Sequence, residues 1–194
     1  MSHSERVSNG IDLLRIETPS WAFGNSGTRF KVFAQPGVPR NPYEKLADAA
    51  QVHKFTGAAP TVSLHIPWDR VDDYTLLRDH AAEAGVGIGV INANLFQDDD
   101  YKLGSITNED PRIRSKAVDH LLDCVDVMDA TNSRDVKLWF ADGTNYPGQG
   151  SFRGRQDRIA ETLMTLYQRL GPNQRMLLEY KFFEPAFYMT DIPD

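Results

Sequence analysis

The feature that most constrains the fold of this chain is a regular alternation of short apolar runs with longer amphipathic segments. Runs typical of strands occur at 61–66, 86–96, 136–140 and 176–183. Segments with helical spacing of apolar residues occur at 42–56, 73–84, 111–128 and 157–170. Strands separated by helices of this length pair in parallel through right-handed crossovers. The sequence therefore predicts an α/β fold built on a parallel sheet.

Helix boundaries support this interpretation because several carry capping residues. Asn41 can cap a helix that has Pro42 at its first position and Glu44 where a capping box places it. Gly57 then ends that helix. Asp110 and the proline after it give a second start of the same kind. These signals predict the helices independently of the apolar pattern.

The amino-terminal region is less regular. An apolar cluster at 11–16 indicates one helix, and residues 21–24 are aromatic enough to form a first strand. We therefore expect residues 1–18 to form an amino-terminal helical segment and residues 19–194 to form strand–helix units of a single domain.

A doubly wound sheet and a (β/α)₈ TIM barrel both fit this alternation, and two details favour the barrel. No glycine-rich dinucleotide turn follows the first strand. Polar and aromatic residues recur at the carboxyl ends of the predicted strands, where barrel enzymes build their active sites. These residues are His65, Trp68, Asn92, Asn94, Phe96, Trp139, Asp142, Glu179 and Lys181.

The number of units is too small for a whole barrel. We count about five strand–helix units, whereas a barrel needs eight and about 250 residues. The expected fold is thus a partial (β/α)₈ barrel, the amino-terminal portion of a longer protein. An open parallel sheet leaves an unpaired strand and exposed apolar faces, so we expect poor stability of the chain alone.

The amino-acid composition argues against several classes of binding partner. The net charge is −6, which argues against binding to nucleic acid or to an anionic membrane. No apolar run reaches the length of a membrane span. The single cysteine, Cys124, lies on an apolar helix stripe and is interpreted as a core residue in a reducing compartment. A cytoplasmic protein is the simplest expectation, and the acidic run 98–100 is interpreted as solvated. The basic residues Arg153, Arg155 and Arg158, near a predicted helix start, are expected to be solvated or to pair across an interface.

The last predicted strand carries two charges, Glu179 and Lys181, on one face, with Leu178, Tyr180 and Phe182 on the other. Charges inside an apolar strand are costly unless the fold uses them. The alternatives are a half-exposed strand whose charges face water and a strand whose charges line a site.

Five segments, taken in order, resemble the bacterial L-rhamnose isomerase family, and more narrowly its broad-specificity branch that also handles rare aldoses such as allose. The segments are 21–33, 62–69, 92–96, 137–143 and 178–185. The resemblance implies a xylose-isomerase-like barrel, two divalent metal sites that commonly hold manganese, a homotetramer, and interconversion of aldose and ketose sugars.

The resemblance also implies roles for single residues near the reacting end of the sugar. Glu179 matches a metal-ligating carboxylate, and Lys181 matches a lysine beside the carbonyl end. His65 matches a histidine that hydrogen-bonds the oxygens of the substrate. A divalent cation can polarise those oxygens, and Lys181 can stabilise charge that develops there. Lys181 and His65 are therefore the candidate catalytic residues, with Glu179 the candidate metal ligand.

Aromatic residues supply the predicted walls of the sugar pocket. Trp21, Phe96 and Trp139 match the walls within one subunit, and Phe30 matches an aromatic residue that crosses a subunit interface. The remaining metal ligands of the family lie on later strands. We therefore expect this chain to be inactive unless those strands are supplied.

Two alternatives remain open at this point. Another xylose-isomerase-like barrel, such as a sugar epimerase, fits the same pattern. A non-catalytic remnant that acts only through association fits the small number of strand–helix units.

Overall fold

The computed structural model describes residues 2–28, 30–144, 150–180 and 192–193. The helices are α1 (His3–Asp12), α2 (Pro42–Thr56), α3 (Tyr74–Ala84), α4 (Pro111–Thr131) and α5 (Phe152–Arg169). The strands are β1 (Glu17–Pro19), β2 (Gly27–Thr28), β3 (Lys31–Val32), β4 (Thr61–Ile66), β5 (Gly87–Ala93), β6 (Asp135–Phe140), β7 (Gly143–Thr144), β8 (Arg175–Tyr180) and β9 (Ile192–Pro193).

The main sheet has the strand order β1-β4-β5-β6-β8. The pairs β1/β4, β5/β6 and β6/β8 are parallel, and helices occupy the connections from β4 onward. The short pairs β2/β3 and β7/β9 are antiparallel. The predicted α/β fold with a parallel sheet is thereby confirmed. None of the helices in the described part of the chain is long and apolar enough to cross a membrane.

The chain divides into two compact units, Met1–Leu64 with Asp69–Gly89, and His65–Trp68 with Val90–Asp194. In the first unit, α2 packs on α3, and Leu46 on α2 and Leu77 on α3 are fully buried. Asp69 is also buried there and accepts hydrogen bonds from the Lys45 ammonium, at 2.6 Å, and from the Ser20 hydroxyl.

The second unit packs α4 against α5 and β6. Its core contains apolar side chains with at most 1% exposure, which are Ile91, Ile106, Ala117, Leu121, Cys124, Val125, Met128, Val136, Leu138 and Leu166. The interpretation of Cys124 as a core residue is confirmed, and burial raises the pKa of its thiol.

The capping residues act much as the sequence indicates. The Asn41 side chain accepts from the Glu44 amide at 3.0 Å, and Gly57 ends α2 in the left-handed conformation. The expected capping box differs in one respect, because the Glu44 carboxylate accepts from the backbone and guanidinium of Arg40. Arg40 supplies a charged donor, which makes a stronger hydrogen bond than a neutral amide does.

The amino-terminal prediction was wrong in its details. The helix spans His3–Asp12 and not 11–16, because Ser2 and Glu5 form a reciprocal capping box at its start. The first strand is Glu17–Pro19, and the predicted strand at 21–24 is replaced by a 3₁₀ turn at Ser20–Ala22. A proline is tolerated at such an edge strand because no ladder bond is needed from its nitrogen.

Candidate functional site

Strands β6 and β8 present one face with polar residues in the second unit. Along β6, Val136, Leu138 and Phe140 are buried, whereas Lys137 and Trp139 are only half-buried. Trp139 pairs in register with Glu179 on β8. Because paired residues of parallel neighbours point to the same side, Glu179 lies on the Lys137–Trp139 face and not on the buried face.

The same face continues onto β5. Asn92 pairs in register with Lys137, and its side chain is 5% exposed. The face therefore carries an amide, a lysine, an indole and a carboxylate on three adjacent strands. Such an array at the carboxyl ends of parallel strands is where barrel enzymes build active sites.

Four rings, which we call the aromatic cluster, lie at the ends of β4, β5 and β6. The His65 and Trp68 rings stack with centroids 3.6 Å apart and planes at 16°. The Phe96 ring meets His65 edge-on at 5.8 Å and Trp139 edge-on at 5.0 Å. The structure thus brings together three of the predicted site residues, His65, Phe96 and Trp139, and adds Trp68.

The aromatic cluster is supported by two amide side chains. The Gln97 carbonyl oxygen accepts from the Trp68 indole nitrogen at 2.6 Å and from the Asn94 amide nitrogen at 2.8 Å. The Asn94 backbone N–H in turn donates to the Ile66 carbonyl at 3.0 Å. Sequence analysis did not single out Gln97, and only its position directly after Phe96 could have drawn attention to it.

Glu179, the predicted metal ligand, is ion-paired. Its carboxylate lies 2.7 Å from the Lys137 ammonium, and the Glu179 side chain is 50% exposed. Lys137 was missed by the sequence analysis, although its spacing of two from Trp139 places both on one strand face. Lys181, the predicted partner of Glu179, lies outside the described residues, so its role stays a prediction.

A metal site does not follow from these side chains. Among residues 2–28, 30–144 and 150–180, no group of three His, Cys, Asp or Glu side chains is placed to hold an ion. The acidic run 98–100 is exposed, and Asp98 and Asp100 pair with Lys116 at 2.8 and 2.7 Å. Glu179 alone does not meet the ligand count of a divalent cation.

Two predicted wall residues belong to the first unit. Trp21 lies in the 3₁₀ turn after β1 and is 41% exposed. Phe30 lies between β2 and β3 and is 85% exposed. Their predicted roles, a pocket wall and a contact across a subunit interface, stay predictions.

The loop after β5 is fixed by a buried polar network that the sequence analysis missed. The Asp142 carboxylate accepts from the backbone and hydroxyl of Ser105 and of Thr107, over 2.7–2.9 Å. Arg155 is 5% exposed and donates to the Thr107 hydroxyl and to the Gly143 carbonyl. We call these five residues the Asp142 network.

The Asp142 network corrects one expectation, that Arg153, Arg155 and Arg158 form a solvated or interface-pairing cluster. Arg155 is buried, and Arg158 donates to the Thr107 carbonyl at 2.9 Å. The reason is that α5 begins at Phe152, capped by Ser151, and not at Asp157. This earlier start places the guanidinium of Arg155 against the loop.

A cavity of about 750 Å³ lies along α4 in the second unit. Asn94 and Gln97 line it from the loop, and Lys116 and His120 line it from the helix. The His120 Nε2 atom lies 3.2 Å from the Ile66 carbonyl, and burial lowers the pKa of its imidazole. Asn94 and Gln97 are therefore shared between the aromatic cluster and this cavity.

Two bacterial proteins named probable sugar isomerases are similar in sequence to this chain. The chain is 39% identical over 184 residues to a probable sugar isomerase of Rhizobium meliloti, covering 92% of this chain and 43% of that protein. It is 36% identical over 189 residues to a probable sugar isomerase of Mesorhizobium japonicum, covering 95% of this chain and 44% of that protein. No protein-family model matches the chain.

Solved structures share the fold at low sequence identity. D-allulose 3-epimerase from Methylomonas sp. superposes with a TM-score of 0.59 at 16% identity, over 85% of this chain and 50% of that chain. A fusion protein with a xylose isomerase-like TIM barrel superposes with a TM-score of 0.52 at 15% identity, over 86% of this chain and 22% of that chain. These matches confirm the predicted partial barrel. The chain thus has the parallel α/β fold of xylose-isomerase-like barrels, is similar to probable sugar isomerases, and spans less than half the length of those relatives.

Proposed function

We propose that this chain carries part of the sugar site of an aldose–ketose isomerase of the L-rhamnose/L-rhamnulose type. The observation that carries the proposal is the aromatic cluster beside the polar face of β6 and β8. His65, Phe96 and Trp139 are brought within ring contact although they come from three different strand ends. The similarity to probable sugar isomerases supports the same class of reaction.

The aromatic cluster suits a sugar because a pyranose or an open-chain sugar has apolar C–H faces and hydroxyl edges. The half-buried rings of Phe96 and Trp139 can pack against C–H groups and exclude water. The imidazole of His65 can donate or accept one hydrogen bond at a hydroxyl or carbonyl oxygen. These residues would bind and orient the substrate.

Lys137 and Glu179 bring opposite charges to the same face. The Lys137 ammonium lies 2.7 Å from the Glu179 carboxylate, so the two side chains form a charge-assisted hydrogen bond on this face. The resemblance implies manganese at Glu179, but the described residues do not complete a site for it, so no step is derived through a metal. The proposed role of Glu179 here is to offer an anionic oxygen beside the sugar.

A sugar 3-epimerase is the second candidate, favoured by the shared fold with D-allulose 3-epimerase. Aromatic faces and an imidazole serve an epimerase equally well. The two reactions differ in product, because an isomerase converts an aldose into a ketose, whereas a 3-epimerase inverts one hydroxyl-bearing carbon of a ketose.

The first experiment separates these reactions. The protein is incubated with Mn²⁺ and with L-rhamnose, D-allose or D-allulose in turn, and the products are resolved by chromatography. A ketose formed from an aldose supports the isomerase. Inversion at C3 of D-allulose supports the epimerase instead. Absence of any product is the expected result for this chain without the later strands, and the binding experiment then distinguishes a sugar site from the non-catalytic alternative.

The second experiment tests the site through binding, independently of turnover. Sugar affinity is measured by saturation-transfer NMR for the wild type, Trp139→Ala and Trp139→Phe. Loss of one aromatic wall should weaken binding about tenfold, and the phenyl ring should restore part of it. Phe55→Ala is the matched control, because Phe55 is 84% exposed on α2. Equal affinities of wild type and Trp139→Ala would place the sugar elsewhere.

A further inference from the structure

Gln97 makes the hydrogen bond that fixes the outermost ring of the aromatic cluster. Its Oε1 atom lies 2.6 Å from the Trp68 indole nitrogen. An indole N–H can only donate, so this contact determines which end of the Gln97 amide faces Trp68. The same Oε1 atom accepts from Asn94 Nδ2 at 2.8 Å, which uses its second lone pair.

Asn94 restrains Gln97 independently of the contact between Gln97 and Trp68. The Asn94 side chain is 6% exposed, and its Oδ1 atom accepts from the backbone N–H groups of Phe96 and Gln97, at 3.2 and 3.1 Å. Its own backbone N–H is anchored on Ile66. Gln97 is therefore restrained at its backbone and at its side chain, which lowers the entropic cost of holding the indole.

The hydrogen bond to Gln97 adds a restraint on the orientation of the Trp68 ring. Trp68 is 41% exposed, so packing alone restrains it less than it restrains a core ring. Its stack on His65, at 3.6 Å between centroids, covers one face of the imidazole. If the indole rotates, that face of His65 opens and the edge contact with Phe96 at 6.2 Å is lost.

We propose that Gln97 is a positioning residue of the sugar site. It holds Trp68 against His65 and so determines which side of the imidazole is open to substrate. The inference rests on the proposed function, because it assumes a sugar site, whereas the Gln97–Trp68 hydrogen bond is observed independently of that function. Gln97 acts through Trp68 and is not assigned any contact with substrate.

The test uses two substitutions of similar length. Gln97→Met removes the strong acceptor, whereas Gln97→Glu keeps oxygens that can accept from Trp68 and Asn94. Gln168→Met on the exposed face of α5 is the matched control. The protein is labelled with ¹⁵N-tryptophan, and its three indole signals are assigned with Trp68→Phe.

In Gln97→Met we expect the Trp68 indole signal to move and its N–H to exchange faster with solvent. The loss of one hydrogen bond should weaken sugar binding about two- to tenfold. Gln97→Glu should retain the Trp68 signal and most of the affinity. The Trp21 indole lies in the other unit, so its signal should stay unchanged in every variant, and far-UV circular dichroism confirms that each variant is folded.

An unmoved Trp68 signal in Gln97→Met overturns the inference, and so does an equal loss of affinity in the Met and Glu variants. Failure of the proposed function gives a different result. In that case the Trp68 signal moves in Gln97→Met as expected, and neither the wild type nor any variant binds sugar.

Discussion

Asp142 gives the most stringent test of how the loop after β5 is held. Its carboxylate is 5% exposed and is surrounded by donors from Ser105 and Thr107, which are 1% and 0% exposed. Asp142→Ala leaves two buried backbone N–H groups without their acceptor. The Thr107 hydroxyl, which also accepts from the buried guanidinium of Arg155, loses its acceptor as well.

The expected magnitude follows from these contacts. Each buried N–H left unsatisfied costs about 1–3 kcal/mol, and Asp142→Ala leaves two of them. We expect Asp142→Ala to lower the free energy of unfolding by about 3–5 kcal/mol, a large share of the ~5–15 kcal/mol of a typical domain.

Asp142→Asn should lower the free energy of unfolding less than Asp142→Ala does, because one oxygen of Asp142 accepts both backbone hydrogen bonds. Oδ2 accepts from the amides of both Ser105 and Thr107, so an asparagine oxygen at that position keeps both backbone bonds. Oδ1 accepts from the Ser105 hydroxyl, which can rotate to become an acceptor for the new amide. We expect a loss of about 1–2 kcal/mol, mostly from removing the charge near Arg155.

The assay is equilibrium unfolding in urea followed by far-UV circular dichroism. With a slope of about 2 kcal/mol/M, the Ala variant should shift the midpoint by about 1.5–2.5 M. Asp119→Ala, an exposed carboxylate on α4, is the matched control and should change stability by less than about 0.5 kcal/mol. If Asp142→Ala and Asp119→Ala have the same effect, the assigned role of the Asp142 network is refuted.

Two further predictions concern α4. Burial lowers the pKa of His120 below 6.5, so the unfolded chain binds this proton more readily than the folded chain does. The stability that neutral His120 contributes is present above pH 6.5 and is lost as the pH falls towards its folded pKa, with a slope of at most about 1.4 kcal/mol per pH unit. His120→Gln should flatten this part of the stability profile in urea melts, and an unchanged profile would contradict the assignment. Because burial raises the pKa of the Cys124 thiol, a thiol reagent should modify Cys124 only at the rate of unfolding, and fast labelling of the native chain would refute this.

Local signals predicted the regular elements well because those signals act over three or four residues. Asn41 and Gly57 bound α2 through their own backbone conformations, so no distant residue needs to be known. The parallel sheet followed from the alternation of strands and helices. The amino-terminal helix was misplaced because its start depends on Ser2 and Glu5, whereas the apolar residues that suggested it are exposed.

Contacts between distant residues limited the prediction of the site. Arg155 and Thr107 are 48 positions apart, and Trp68 and Gln97 are 29 apart. An arginine near a helix start is usually solvated, and only the folded loop reveals that Arg155 is not. The choice of His65, Phe96 and Trp139 came from the family resemblance together with their place at strand ends, and ring contact between them is what the structure adds.

The polar face of β6 and β8 allows a choice between the two interpretations of the charged strand. If that face only met solvent, small polar residues would serve as well as Trp139. Trp139 instead lies beside Glu179 in register and meets the edge of Phe96 at 5.0 Å. The Lys137–Glu179 pair adds little stability at its exposure, because exposed ion pairs contribute about 0–1 kcal/mol. A large aromatic ring and a weakly stabilising ion pair on one strand face are better explained by binding than by folding, and the proposed sugar site rests on this argument.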